Sequence, residues 1–404
     1  MQIRPILAAL SRHRLATLLI GLEIAFACAV LCNACFLIYN RVQLMHIYSG
    51  VDDASLAVVK LAGFEQSQAV DLNARVLAGL RTIPGMQSVS VVNAVPFGEH
   101  AGTAGITTDP ASGKANAVVD FYVGGPGSLQ AFGLRLIAGQ TLQPEDYRPL
   151  NSFVPEDASV LISHALAEHL WPGADPLGKE FWTGKLHFRV VGIVANLVRP
   201  DPAGSGVAAA EWTVFAPAQP GPKFAGVYLL RADPQVLPRV LRDARAAVAK
   251  IAPEVVLDQE SSRSLSELRE LRFRQDRAMA GMLVGVILAL LLVTALGIVG
   301  LASFWVQQRR KQIGIRRAIG ARRRDILSYF QVENFLIVSG GIGLGMVLAF
   351  GLNLMLMRFY ELPRLPLIYL PIGALVLWSL GQLAVLGPAM RAAAVPPVVA
   401  TRAA

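Results

Sequence analysis

Residues 309–327 read RRKQIGIRRAIGARRRDIL. Eight of these positions are Arg or Lys against a single acid, and the stretch is set between two long apolar runs. Lys and Arg concentrate in short loops on the cytoplasmic side of a bilayer, so the stretch predicts such a loop between two membrane spans.

The spans follow from length. A helix rising about 1.5 Å per residue needs roughly 20 apolar residues to cross about 30 Å of hydrocarbon. Residues 278–306, 334–357 and 365–390 contain no Asp, Glu, Lys or Arg, and 15–40 is interrupted only by Glu23. The expected fold class is therefore a membrane protein with four transmembrane α-helices, at 15–40, 278–306, 328–357 and 365–390. Arg4, Arg12 and Arg14 precede the first span, and Arg391 and Arg402 follow the last. With the basic loop at 307–327, they predict a cytoplasmic N-terminus (1–14) and C-terminus (391–404). The turn at 358–364 and the long segment 41–277 then lie on the outer face. The N-terminal run shares the basic start and small residues of a secretory signal near Ala25 and Ala27. Because the apolar run continues to Ile38, a retained anchor is expected instead of a cleaved leader.

The net charge of +9 is unevenly spread. Segment 41–277 holds 22 Lys/Arg and 24 Asp/Glu, whereas the rest holds 15 and 4. The excess thus belongs to the inner membrane face and not to a soluble basic domain, which argues against nucleic acid as a partner. Cys28, Cys32 and Cys35 reproduce a C-x3-C-x2-C spacing seen in iron–sulfur ligation, but they fall in an apolar helical run and are read as small packing residues. No cysteine falls in 41–277. A segment of that size buries a core without disulfides.

Segment 41–263 reads as a large mixed α/β domain. Residues 88–95 (SVSVVNAV) and 188–194 (FRVVGIV) are β-rich, while 66–80, 158–170 and 234–251 carry helical spacing. The Gly/Pro-rich stretches 98–114 and 200–221 read as loops. No metal or cofactor site assembles in it. His164 and His169 are five apart on an expected helix and diverge. Asp52 with Asp53, and Glu145 with Asp146, read as surface or capping pairs. The G-G-P-G turn at 124–127 is no phosphate cradle, because Pro126 lacks an amide donor and no helix start with Lys, Ser or Thr is expected after it. There is no G-x-x-x-x-G-K-[ST], so no nucleotide cofactor is expected in this chain and it does not read as an ATPase or other enzyme. Ser264 and Glu267 form a capping box opening 264–277, whose charged helix formers run into the second span. That pattern fits one continuous stalk helix, or an ordinary surface helix abutting a span.

Several stretches together resemble the FtsX/MacB-like family of ABC transporter permeases. The loop is similar to the family's R-x-x-E-I-G-I-R-R-A-L-G-A-x-x-x-D-I at Arg309, Ile313, Gly314, Ile315, Arg316, Arg317, Ala318, Gly320, Ala321, Asp325 and Ile326, with Gln312 where Glu is usual. Residues 160–181 (VLISHALAEHLWPGADPLGKEF), 132–139 (FGLRLIAG) and 387–402 (GPAMRAAAVPPVVATR) resemble further family stretches, in family order. The resemblance implies a MacB-like periplasmic core domain, with 132–181 in a second module inserted into it. It also implies the bacterial inner membrane and a homo- or heterodimer with a second permease subunit. The partner would be a separate cytoplasmic ABC ATPase, carrying the ATP and Mg and touched by the loop from Arg309 to Ala321. A periplasmic adaptor or envelope protein is a further candidate partner.

On its own physics the loop is a basic amphipathic helix, with Ile313, Ile315 and Ile319 on the apolar side and Arg316, Arg317 and Arg322–Arg324 on the polar side. Such a helix can rest in the headgroups of the lipid membrane. Gly281 with Gly285, Gly297 with Gly300, and Gly341 with Gly345 predict close helix packing. Glu23 is expected to hydrogen-bond a neighbouring helix at the dimer interface, with proton relay as a rival role. Two function classes stay open: an efflux permease coupled by mechanotransmission, and a non-transporting, FtsX-like scaffold that signals to an envelope partner.

Overall fold

A computed structural model of the chain describes residues 14–111, 114–202, 206–360 and 365–396. Arg4, Arg12, Arg364, Arg402 and most of the expected outer turn lie outside the described residues. The chain divides into two compact units, Met1–Arg41 with Ala278–Ala404, and Val42–Arg277.

The second unit holds two sheets. Its strands are β1 (Leu56–Ala62), β2 (Met86–Val91), β3 (Gly102–Ile106), β4 (Ala117–Gly124), β5 (Leu136–Gly139), β6 (Arg148–Pro149), β7 (Ala158–Ser163), β8 (Glu180–Thr183), β9 (Leu186–Val194), β10 (Thr213–Gln219), β11 (Val227–Ala232) and β12 (Val256–Asp258). A four-stranded antiparallel sheet runs β12-β1-β11-β2. A mixed sheet runs β3-β4-β10-β7-β9-β5, with β6 on β10 and β8 on β9, and contains the parallel pairs β4/β10 and β7/β9. The strands of the mixed sheet, which begin at Gly102 and end at Gln219, all fall in sequence between β2 and β11.

The helices after α1 (Arg14–Met45), which belongs mainly to the first unit, are α2 (Ala69–Arg81), α3 (Ser128–Phe132), α4 (His164–Leu170), α5 (Gly206–Ala209), α6 (Leu237–Ile251) and α7 (Leu265–Arg272). α6 buries Leu237, Val240, Leu241, Ala244 and Val248, one helical face. With α2 it packs beside the four-stranded sheet.

Four readings of this unit need correction. Residues 158–170 are a buried strand followed by a seven-residue helix, and the switch falls at Ser163, whose Oγ accepts from the Leu166 amide. Apolar runs this short do not distinguish strand from helix. The two Gly/Pro-rich stretches are not merely loops, since they contain β3 and the buried strand β10. A short helix, α3, does start right after the G-G-P-G turn, at Ser128. The expected stalk is interrupted by one residue, Phe273, between α7 and the next helix, within a single long run from Leu265 to Gln308. Asp146 serves as a capping group, accepting from the Gln143 amide at 2.8 Å, and His169 is a packing residue, stacked on Trp212 at 3.9 Å.

In the first unit α1 (Arg14–Met45), α8 (Arg274–Gln308), α10 (Arg323–Tyr360) and α11 (Tyr369–Ala393) provide, among the described residues, four helices long and apolar enough to cross a membrane. A short helix, α9 (Arg310–Ala318), stands between α8 and α10. Helix α10 begins at Arg323, ahead of the expected 328.

The small residues divide into two sets. A Cβ on Gly345 would meet the Cys28 Cβ at 2.5 Å and the Ala25 carbonyl at 2.7 Å, and one on Gly341 would meet Ile24 at 2.8 Å. Around Gly281, Gly285, Gly300 and Gly343 there is open space. Gly345→Leu is therefore expected to lose about 1–3 kcal/mol by overpacking the α1/α10 seam. Gly281→Leu should stay within about 0.5 kcal/mol of the parent. Thermal melts of the two variants in one detergent compare them directly, and equal melts would deny the seam its role. Cys28 and Cys32 are buried on this helix, and Cys32 faces Gly373.

Candidate functional site, a basic elbow between two spans

Helix α9 is short and its end is chemically explicit. Gly320 holds φ +104, its amide donates to the Arg317 carbonyl at 3.2 Å, and the Ala321 amide donates to Arg316 at 3.0 Å. This is the Schellman pattern, in which a left-handed glycine lets the chain turn out of the helix. Asp325 then accepts from the Arg322 amide at 2.9 Å and starts α10. The sequence A-I-G-A-R-R-R-D is thus a stop followed by a start.

The basic residues of the elbow are not equivalent. Arg309 turns inward: Nη1 donates to both oxygens of Glu333 at 2.9 Å and to Tyr329 Oη at 3.3 Å, and the guanidinium lies 5.5 Å over the Trp305 ring. Arg316 sits 5.2 Å over Tyr329, and Arg317 donates to the Val395 carbonyl beyond α11. Arg310, Arg322, Arg323 and Arg324 are exposed. Glu333, only 1% exposed, was not singled out from the sequence. It is the lone acid just ahead of an apolar run, and no periodicity pairs it with a residue across the turn.

The apolar residues also split, which corrects the grouping of Ile313 with Ile315 and Ile319. Ile313 is 6% exposed and packs with Ile326, Phe330, Ala389, Ala392 and Ala393. Ile315 is exposed, and Ile319 is 82% exposed. Two residues along a helix are about 200° apart around its axis, whereas 315 and 319 are one turn apart and share a face. Gly314 is buried beside Ile313, while Gln312, Ala318 and Gly320 are exposed and Ala321 is half-buried. A cleft of about 370 Å³ lies between α9 and the start of α10, with Ile313, Ile326 and Phe330 in its walls and Gln312, Arg316 and Asp325 among the polar lining. The elbow is thus pinned by its arginines and displays two isoleucines.

Glu23 stands apart from this cluster. Its carboxylate lies against Gly297 of α8, where a Cβ would come within 2.7 Å of Oε2, and its buried Oε1 has no hydrogen-bond partner among the described residues. The neighbouring helix it meets is one of the chain's own. Among the described residues no group of His, Cys, Asp and Glu is placed to hold a metal.

Four long apolar helices, a basic elbow between the second and third, and a two-sheet domain inserted after the first define a multi-pass membrane protein of the permease type. Residues 284–397 match the FtsX-like permease C-terminal family, and residues 40–259, more than half of the chain, match the MacB-like periplasmic core domain. The chain belongs to the FtsX/MacB-like family of ABC transporter permeases.

A Bradyrhizobium diazoefficiens protein described as macrolide export ATP-binding/permease protein MacB is 31% identical over 235 residues, which cover 55% of this chain and 34% of that one. The chain spans about a third of that relative's length. An uncharacterized ABC transporter permease of Bacillus subtilis, YvrN, is 26% identical over 285 residues, 67% of each chain. Among solved structures, the periplasmic region of MacB from Actinobacillus actinomycetemcomitans aligns with a TM-score of 0.34 at 13% identity, covering 53% of this chain and 92% of that one.

Proposed function

We propose that this chain is the membrane subunit of an efflux system of the mechanotransmission kind, and that the elbow receives the push of a separate cytoplasmic ABC ATPase. In this reading the elbow and both termini face the cytoplasm of a bacterial inner membrane, and the inserted domain faces the periplasm. The chain works as a dimer, and ATP with its Mg is held by the partner. The efflux assignment leans on the relatives described as macrolide exporters.

The observation that carries the coupling reading is the exposed pair Ile315 and Ile319 on a helix whose other side is pinned by Arg309, Ile313 and Arg317. A lever needs both features: an apolar face for a partner to grip, and firm seating on the spans. Positive charge alone would fit any cytoplasmic loop. Burying an isoleucine contributes about 1.5–3 kcal/mol, so the pair gives a partner roughly 3–6 kcal/mol to lose. Ile315→Glu with Ile319→Glu is expected to abolish co-purification of a P-loop ATPase from native membranes while leaving the amount of chain in the membrane unchanged. Retention of the ATPase by this variant, or no ATPase with the parent chain after cross-linking, would overturn the reading.

A further inference from the structure

Helix α7 closes at Arg272, and Phe273 (φ −91, ψ 6) separates it from α8. One residue thus interrupts the helical run at the end of the inserted domain, and Arg269, on α7, makes side-chain contacts there to other parts of the domain. Its Nη1 donates to Asp53 Oδ2 at 2.7 Å, and its Nη2 donates to the carbonyls of Met45 at 3.1 Å and Ile47 at 2.5 Å. The flat face lies 4.8 Å over the Phe97 ring, which meets Phe273 edge-on at 5.7 Å.

We propose that Arg269 is a knot tying together the two stretches of chain by which the inserted domain is attached: the segment leaving α1 and the helix leading to α8. The chemistry of the acceptors supports this role. Met45 ends α1 and Ile47 follows it, so their carbonyls have no acceptor role within that helix's own ladder. A cation at a helix C-terminus is favoured by the helix dipole as well. The carboxylate partner is held in turn, since Ser49 Oγ donates to Asp53 Oδ1 at 2.6 Å and Ser266 Oγ donates to the Asp53 carbonyl at 3.1 Å. Asp53, expected as a surface group, is therefore part of the join.

Phe97 offers its ring from a backbone at φ +61, a region disfavoured for a side chain of this size. Such a conformation persists where surrounding contacts over-determine it. Close by on α7, Arg272 pairs with Asp201 and forms a second clasp to a different loop. Only a planar guanidinium reaches one carboxylate, two carbonyls and a ring face at once, because an ammonium is a point donor. A displacement entering by either attachment thus reaches the domain with the other attachment bound to it. The inference stands on contacts inside the domain and does not depend on the ATPase reading.

Hydrogen exchange of the full chain in lipid nanodiscs, read by mass spectrometry, tests it without any partner. In Arg269→Ala, exchange is expected to rise about tenfold or more in both 44–50 and 265–272, with β10 and β11 unchanged. Arg272→Ala should open 265–272 and leave 44–50 protected. If Arg269→Ala does not accumulate, Arg269→Lys carries the test and must open the same two segments to a smaller degree. Opening of α7 alone, of neither segment, or of β10 and β11 together with them would overturn the knot.

Discussion

Arg309→Ala is expected to destabilise the membrane unit by about 3–5 kcal/mol, the usual result of stripping one partner from a buried ion pair. Glu333 is 1% exposed, and both its oxygens are held by Arg309 at 2.9 Å. Removing the guanidinium leaves a buried carboxylate without this cation. Glu333→Ala should cost a similar amount from the other side, because Arg309 would then lie among Trp305 and Tyr329 with no anion to meet. The double change Arg309→Met with Glu333→Leu is expected to recover most of the loss, since apolar residues of similar volume often match a buried pair in stability.

Thermal unfolding of the purified chain in detergent reads all three variants. Singles that melt on the order of 10 °C low, with the double near the parent, would fit. Singles that melt like the parent would show that the pair is hydrated and contributes little.

This pair also marks the limit of what the residues reveal in order. The charge density of 309–327, the charge-free runs and the small-residue seam at Gly341 and Gly345 are one-dimensional signals, and the architecture follows from them. The helix stop at Gly320 and the cap that Asp325 places on the start of α10 are equally local. Which arginines turn inward is not local at all. Arg309 meets a glutamate 24 positions on and Arg317 meets a carbonyl 78 positions on, and only the fold brings them together. The isoleucines show the same limit from the other side, because apolar character alone does not say that Ile313 is buried while Ile315 and Ile319 are exposed. In the inserted domain, strands such as β10 hid behind Gly and Pro, and β7 hid behind a helix-like run. Strand order comes from pairing between distant segments, and composition carries no record of it.

Asp120→Ala is expected to cost the inserted domain about 3–5 kcal/mol, again by orphaning a buried charge. Asp120 and Arg199 are both buried, with Arg199 Nη2 donating to Asp120 Oδ1 at 3.1 Å and to the Val118 carbonyl at 3.0 Å. Thr103 Oγ1 donates to the same carboxylate oxygen at 2.7 Å. The pair pins more than itself. On the segment carrying Arg199, the Val198 carbonyl accepts from Tyr122 Oη at 2.6 Å, the Leu197 carbonyl accepts from Thr213 Oγ1 at 2.9 Å, and the Val198 amide donates to Ser49 at 3.0 Å. Burial of Tyr122 pushes its phenol well above the ordinary range, so it stays a neutral donor at any physiological pH.

Two residues further along, Asp201 takes the Arg272 guanidinium. Losing the Asp120 charge should therefore loosen the clasp on α7 from behind, through a loop that never touches that helix's own ladder. Asp120→Asn keeps an acceptor for Thr103 and Arg199 but leaves the same buried cation without its anion, so its loss should come close to that of alanine. Urea unfolding of the full chain in detergent, followed through Trp212 and Trp182, ranks the variants. Equal losses for the alanine and asparagine changes would assign the whole effect to charge, and a loss below about 1 kcal/mol for alanine would mean that water reaches Arg199.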